Sequence, residues 1–196
     1  MSKIIRLNSD LDLIMHTNFI TKNTCECIMN AHTKAHFQRS RSIQHGKSSH
    51  LTSYSTKAYL QNEHTRFADR RMQAFAQTHE SYVCKQKHPI LLRYRQGQYA
   101  TKHIDAFTRK EMKKFETSEV NSKTMILYLT DTSENTGGQL YFNNLDMMIY
   151  PKAGQLLVWN NLTKDFEVNY DSMHSSLPVK TGEKFALVKF FTSYID

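Results

Sequence analysis

Two stretches decide how this chain is read: 89-PILLRYRQGQYATKHID-105 and 174-HSSLPVKTGEKFALVKFF-191. In an extended strand, residues two apart point to the same face. Tyr99, Thr101, His103 and Asp105 therefore fall on one face of the first stretch. An imidazole and a carboxylate would stand side by side there without backbone distortion. The second stretch supplies a distant His174 and, ten residues on, Lys184.

Two histidines and one carboxylate gathered on one side of a metal leave open positions opposite, the ligand set of non-haem Fe(II) oxygenases. An H-x-D pair is a short motif that also arises by chance, so its weight comes from its surroundings. Lys184 shares a strand face with Ala186, Val188 and Phe190, while Phe185, Leu187 and Phe191 lie on the other. A strand apolar on both faces is a buried one. A buried ammonium then needs an anionic partner, because an unpaired one is very costly.

Outward from these stretches the chain alternates short strands and turns. Strands are expected at 89–95, 98–105, 123–130, 138–142, 145–150, 155–160, 165–169, 174–180 and 183–193. Gln96-Gly97, Asn135 to Gly138, Asn143-Asn144, Lys152 to Gly154 and Thr181-Gly182 punctuate them. Many short, evenly spaced strands indicate a sandwich or jelly roll. Residues 106–122 form one long polar interruption, with Arg109, Lys110, Lys113 and Lys114 clustered in it.

The first half reads differently. Residues 4–20 can make one edge strand or two. A helix is expected over 21–37, where Cys25, Ile28, Met29 and His32 fall on one face and Thr21 or Asn23 can cap the start. Residues 38–58 are polar and lack a steady period, so they read as a loop or weak hairpin. A segment of that length is either a lid over the site or a surface insertion. A second helix is expected over 62–80, with Ala68, Arg71/Met72 and Phe75 on one stripe and His64 and His79 facing solvent. The organisation expected is a single domain over 1–196. In it, 1–88 give helical support and a possible lid, and 89–196 form the jelly-roll core.

Composition narrows the classes. A chain of 196 residues, 39% hydrophobic, can bury a full core. No run of 18 apolar residues marks a membrane span, and the N-terminus lacks a secretory pattern, so a cytoplasmic protein is expected. Cys25, Cys27 and Cys84 have no regular spacing, which argues against a disulfide framework or a zinc site. The net charge is +8, but the charge is scattered and no nucleic-acid motif accompanies it. Nucleic acid is therefore not the favoured partner.

The motifs in order are Y-x-x-G-Q-x-x-x-x-H-x-D from Tyr94, T-x-x-x-Y-L from Thr124, G-G-x-L-x-F from Gly137, P-K-A-G-x-L-L-x-W from Pro151 and H-x-x-x-P-V-x-x-G-x-K from His174. This series, from about Ile90 to Phe191, resembles the catalytic domain of the prolyl 4-hydroxylases, which are 2-oxoglutarate and Fe(II)-dependent dioxygenases. The resemblance implies a double-stranded β-helix (jelly roll), mainly β with supporting helices. It implies Fe(II) held by His103, Asp105 and His174, and 2-oxoglutarate with its far carboxylate on Lys184. Tyr94 and Tyr128 would help bind that cosubstrate, and Tyr99 would line the substrate pocket. O2 would be the second cosubstrate and ascorbate the reductant. The partner implied is a proline-containing peptide or protein. Asn121 stands where the family often has arginine, and Leu177 where it often has cysteine. The alternatives are a dioxygenase acting on another peptide side chain, a free amino acid or a nucleic-acid base, or a noncatalytic jelly-roll binding module. Trp159 reads as core, and Gly137-Gly138 as a turn that needs positive φ.

Overall fold

The computed structural model describes residues 2–31, 38–39, 56–59, 62–79 and 88–194. In chain order its strands and helices are β1 (Lys3–Asn8), β2 (Leu13–Thr17), α1 (Lys22–Asn30), β3 (Gln38–Arg39), β4 (Thr56–Tyr59), α2 (Glu63–His79), β5 (Ile90–Arg95), β6 (Ala100–His103), α3 (Arg109–Lys114), β7 (Glu119–Tyr128), β8 (Leu140–Phe142), β9 (Met147–Ile149), β10 (Leu156–Asn160), β11 (His174–Ser176) and β12 (Glu183–Tyr194). Eight strands form a major sheet in the order β1-β2-β10-β7-β12-β5-β4-β3, and four form a minor sheet in the order β6-β11-β8-β9. Strand pairing is antiparallel throughout the described residues. The architecture is a jelly roll of two facing sheets backed by helices.

Alternation along the central strands builds two cores. On one face, Met125, Leu127, Leu187 and Phe191 meet Ile28 of α1 and Ala68, Met72 and Ala76 of α2. On the other, Ile126, Tyr128, Ala186 and Val188 meet Leu140, Phe142 and Ile149 of the minor sheet, with Trp159 between. Each fully buried large apolar side chain contributes roughly 1.5–3 kcal/mol. The two-faced apolar pattern of β12 thus has a physical cause: helices cover one side and the second sheet the other. Among the helix-side residues, Lys189 of β12 is fully buried and ion-pairs with Asp69 of α2.

Several elements differ from the sequence reading. The α2 stripe is Ala68, Met72 and Ala76; Arg71 is exposed and stacks 5.0 Å from the Phe19 ring, and Phe75 packs at the margin of the core. Residues 106–122 hold α3 and the start of β7. The helix is begun by a capping box: the Thr108 hydroxyl accepts from the Glu111 amide, and the Glu111 carboxylate accepts from the Thr108 amide. Residues 165–169 form no strand; only an isolated Leu162–Val168 bridge appears there. β11 ends at Ser176, two residues before Pro178, which has no N–H to give a ladder. Strand β6 ends at His103, so Asp105 lies in the bend beyond it. Gly137 and Gly138 do adopt positive φ, 71° and 78°, and a Cβ on Gly137 would lie 2.2 Å from the Pro178 carbonyl oxygen. Of residues 38–58, only 38–39 and 56–59 are described; they pair with each other, and β4 adds to the edge of β5. The reading of this segment as a lid otherwise lies outside the described residues, as do His32 and Cys84.

Candidate metal and cosubstrate site

The register of the minor sheet brings the two histidines together. His174 of β11 pairs directly with His103 of β6, and their ring centroids are 4.3 Å apart. Asp105 closes the group. One of its oxygens lies 3.5 Å from His103 Nε2, and the other 3.7 Å from His174 Nε2. One ligand atom from each residue lies within 4.8 Å of the others.

The outer contacts aim these atoms. His103 Nδ1 is 2.7 Å from the Thr101 carbonyl oxygen, and His174 Nδ1 is 2.9 Å from that of Ser172. A carbonyl only accepts, so each Nδ1 carries a proton, and in the neutral ring each Nε2 keeps a lone pair facing Asp105. This is the usual way a metal-binding imidazole is fixed in tautomer and orientation. Trp159 meets His174 edge-on at 5.0 Å, and Phe142 meets Trp159 at 5.3 Å. These rings wall off the buried side of the imidazole.

The electrostatics favour a cation at the centre. Burial opposes the charge on Asp105, but His174, His103 and the Thr124 hydroxyl together bring its carboxyl down to about 2. Burial holds His174 down to about 4, helped by the neighbouring His103. Burial also disfavours charge on His103, yet its hydrogen bond and charge contact with Asp105 prevail and raise its pKa. The more enclosed His174 stays neutral. An ionised carboxylate and imidazole nitrogens with free lone pairs are a donor set that could hold Fe(II).

Lys184 is buried, as its two-faced apolar strand predicts. Its Nζ donates to the Ser176 hydroxyl at 2.8 Å and lies 5.1 Å from the Tyr94 ring centroid and 5.6 Å from that of Tyr128. Tyr94 stands opposite Lys184 in the β5–β12 register, and Tyr128 opposite Ala186 in the β7–β12 register. Burial pulls Lys184 down to about 7. The Tyr128 hydroxyl is buried with no hydrogen-bond partner, and burial, then Tyr94, raises its pKa. A buried cation beside an unsatisfied hydroxyl donor suits an incoming carboxylate. Ser176, which Lys184 contacts, is two residues from His174 on the same short strand, so the two parts adjoin. Tyr99 is half-buried immediately before β6.

Some participants were not visible in the sequence. Thr124 donates to Asp105 at 2.7 Å, Asn161 donates to Thr124 at 2.8 Å, and Asn121 donates to the Asp105 carbonyl at 3.0 Å. Ser176 was missed as well. Thr124 does stand in the T-x-x-x-Y-L motif, but nothing local reveals its partner. Asn121 turns inward to the site's own backbone.

Comparisons with known proteins agree on one lineage. Residues 89–192 match the family model described as the 2OG-Fe(II) oxygenase superfamily. Prolyl 4-hydroxylase subunit alpha-2 of Gallus gallus is 33% identical over 96 residues, which cover 48% of this chain and 17% of that protein. Subunit alpha-1 of Homo sapiens is 29% identical over 96 residues, with coverage of 48% and 17%. The chain thus matches less than a fifth of the length of these curated relatives. Among solved structures, the viral collagen prolyl hydroxylase of Paramecium Bursaria Chlorella virus-1, in its 2OG complex, superposes with a TM-score of 0.73 at 19% identity, covering 92% of this chain and 96% of that one. A Trichoplax adhaerens prolyl hydroxylase in complex with a hypoxia inducible factor oxygen degradation domain peptide fragment gives 0.71 at 14% identity, covering 95% and 85%. At these identities the structures attest the shared fold.

Proposed function

Because the chain belongs to the 2OG-Fe(II) oxygenase superfamily, we propose that it is a peptidyl-proline 4-hydroxylase that consumes 2-oxoglutarate and O2 and releases succinate and CO2. The observation that carries this reading is the pairing of a convergent His103–Asp105–His174 group with a buried lysine next to it. His103, Asp105 and His174 hold Fe(II). Lys184 takes the far carboxylate of 2-oxoglutarate, exchanging its Ser176 contact for a charged one. The Tyr128 hydroxyl supplies a second hydrogen bond there, and Tyr94 packs against the lysine. Tyr99 lines the entry for the peptide. Bound iron and cosubstrate supply the oxidising power, one atom of O2 going to the substrate carbon and the other to succinate. The protein orients the target C–H bond and excludes water. Trp159 and Phe142 serve the second task around His174.

Ascorbate is the reductant expected to keep the iron ferrous, and the substrate is a proline-containing peptide or protein. Among the described residues no helix is long and apolar enough to cross a membrane; we place the protein in the cytoplasm. Residues 1–196 act as one catalytic domain, with the helices as support for the jelly roll.

Mass spectrometry of proline-rich and collagen-like peptides, incubated with Fe(II), 2-oxoglutarate and ascorbate, tests this. The expected result is one added oxygen on proline, matched by succinate and lost without iron. Succinate without peptide oxidation would move the substrate to another side chain, a free amino acid or a nucleic-acid base. Neither product from folded, iron-loaded protein would favour a noncatalytic binding module. His174→Ala should abolish turnover; normal hydroxylation by that variant would remove His174 from the metal centre.

A further inference from the structure

We propose that Thr124, Asn161 and Asn121 are positioning residues that clamp Asp105 so that it offers a single oxygen to the metal. The inference rests on the metal centre described above. Asp105 follows the last residue pair of β6, so no strand ladder fixes it. Two side chains of β7 do so instead. The Asn121 amide donates to the Asp105 main-chain carbonyl at 3.0 Å, and the Thr124 hydroxyl donates to its Oδ2 at 2.7 Å.

The direction of the second contact is set from behind. Asn161 Nδ2 lies 2.8 Å from Thr124 Oγ1, and a carboxamide nitrogen can only donate. Thr124 must accept from Asn161, and its own proton is left for the carboxylate. Asn161 and Thr124 are both fully buried. Asn161 is anchored through its backbone as well: its N–H donates to the Ser122 carbonyl at 2.7 Å, and its carbonyl accepts from the Asn169 N–H at 2.9 Å. Its side-chain oxygen is buried without a hydrogen-bond partner. Burying such an atom unpaired is unfavourable, so the orientation of this amide calls for a reason. Delivering a donor to Thr124 is one.

The consequence concerns the open side of the metal. With one lone pair of Oδ2 taken by Thr124, Oδ1, 3.5 Å from His103 Nε2, is the freer oxygen for the ion. A carboxylate free to rotate could place both oxygens on the metal and occupy a position that the cosubstrate or O2 needs. The central sheet, through β7 and the residue after β10, thus keeps a ligand of the minor sheet's loop in one setting.

The test uses Co(II) as a probe on the metal-free full chain, titrated at equilibrium and followed by its visible absorption. Thr124→Val should weaken Co(II) binding about 10- to 100-fold, the usual effect of losing a contact behind a metal ligand, and should alter the spectrum. Thr124→Ser, which restores the hydroxyl, should return both to wild type. Asn121→Ala should weaken binding in the same direction, and it decides the matter if Thr124→Val does not fold. Binding within twofold of wild type with an unchanged spectrum, in a folded variant, would overturn the clamp alone. A wild-type protein that binds no Co(II) would overturn the metal centre and the clamp together.

Discussion

Burial brings Lys184 to about 7, so a sizeable fraction of it is neutral at physiological pH until an anion arrives. Above pH 7, binding 2-oxoglutarate must therefore take up a proton. Affinity is expected to fall as pH rises, by up to about tenfold per unit. Calorimetric titration of 2-oxoglutarate between pH 6 and 9 would check this, and Lys184→Met should lose both the slope and most of the affinity; a pH-independent affinity would sink the idea. The unliganded protein shows the reverse side of the linkage. Because the folded value lies below the ordinary 10.5, the unfolded chain binds more protons between about 7 and 10.5. Lys184 thus makes the ligand-free fold gain stability as pH rises through that window. His103 and Asp105 stood out by their spacing and Lys184 by a strand apolar on both faces, but it was the resemblance to the prolyl 4-hydroxylases that grouped them with His174. Thr124 and Asn161 were not legible, because a buried polar residue within an apolar strand or just past its end does not say which group it faces.

Elements carry their own energetic features, the plainest being the buried contact between α2 and β12. Lys189 is fully enclosed and its Asp69 partner nearly so. Removing one member of a buried ion pair leaves a charge without its counterion and typically costs about 3–5 kcal/mol. Asp69→Ala should lower the urea midpoint by a corresponding amount while leaving Co(II) binding intact; a loss under about 1 kcal/mol would mean that other contacts already carry the lysine. At this scale the sequence was informative where periodicity was regular, as in α2, β7 and β12. It was less so at short or interrupted elements. The T-x-x-E box at Thr108 and Glu111 was a readable start signal for α3, hidden by the basic residues around it. Residues 165–169 look alternating but contain exposed Phe166 at positive φ, which breaks a ladder.

Across the whole molecule, the net charge of +8 should draw acidic peptides and make their capture sensitive to salt. Helix α3 follows Asp105 closely and exposes Lys110 and Lys113. Lys110→Glu with Lys113→Glu is expected to raise the KM for a peptide substrate several-fold with little change in kcat; unchanged kinetics would make α3 a merely solvated face. The two-sheet architecture was legible as a whole because many short strands admit few other closures. The growth of the major sheet by β1 and β2 was less so, since edge strands carry little alternation. The pairing of His174 with His103 has a consequence for folding. Ligands so distant along the chain cannot find one another until the minor sheet has closed, so an unfinished or unfolded polypeptide has no centre to load. An ion held at the proposed centre would bind the folded chain and not the unfolded one, and would stabilise the fold by that difference. On the proposed metal centre, chelation is expected to lower the melting temperature and speed proteolysis, linking the persistence of the fold to the supply of the ion.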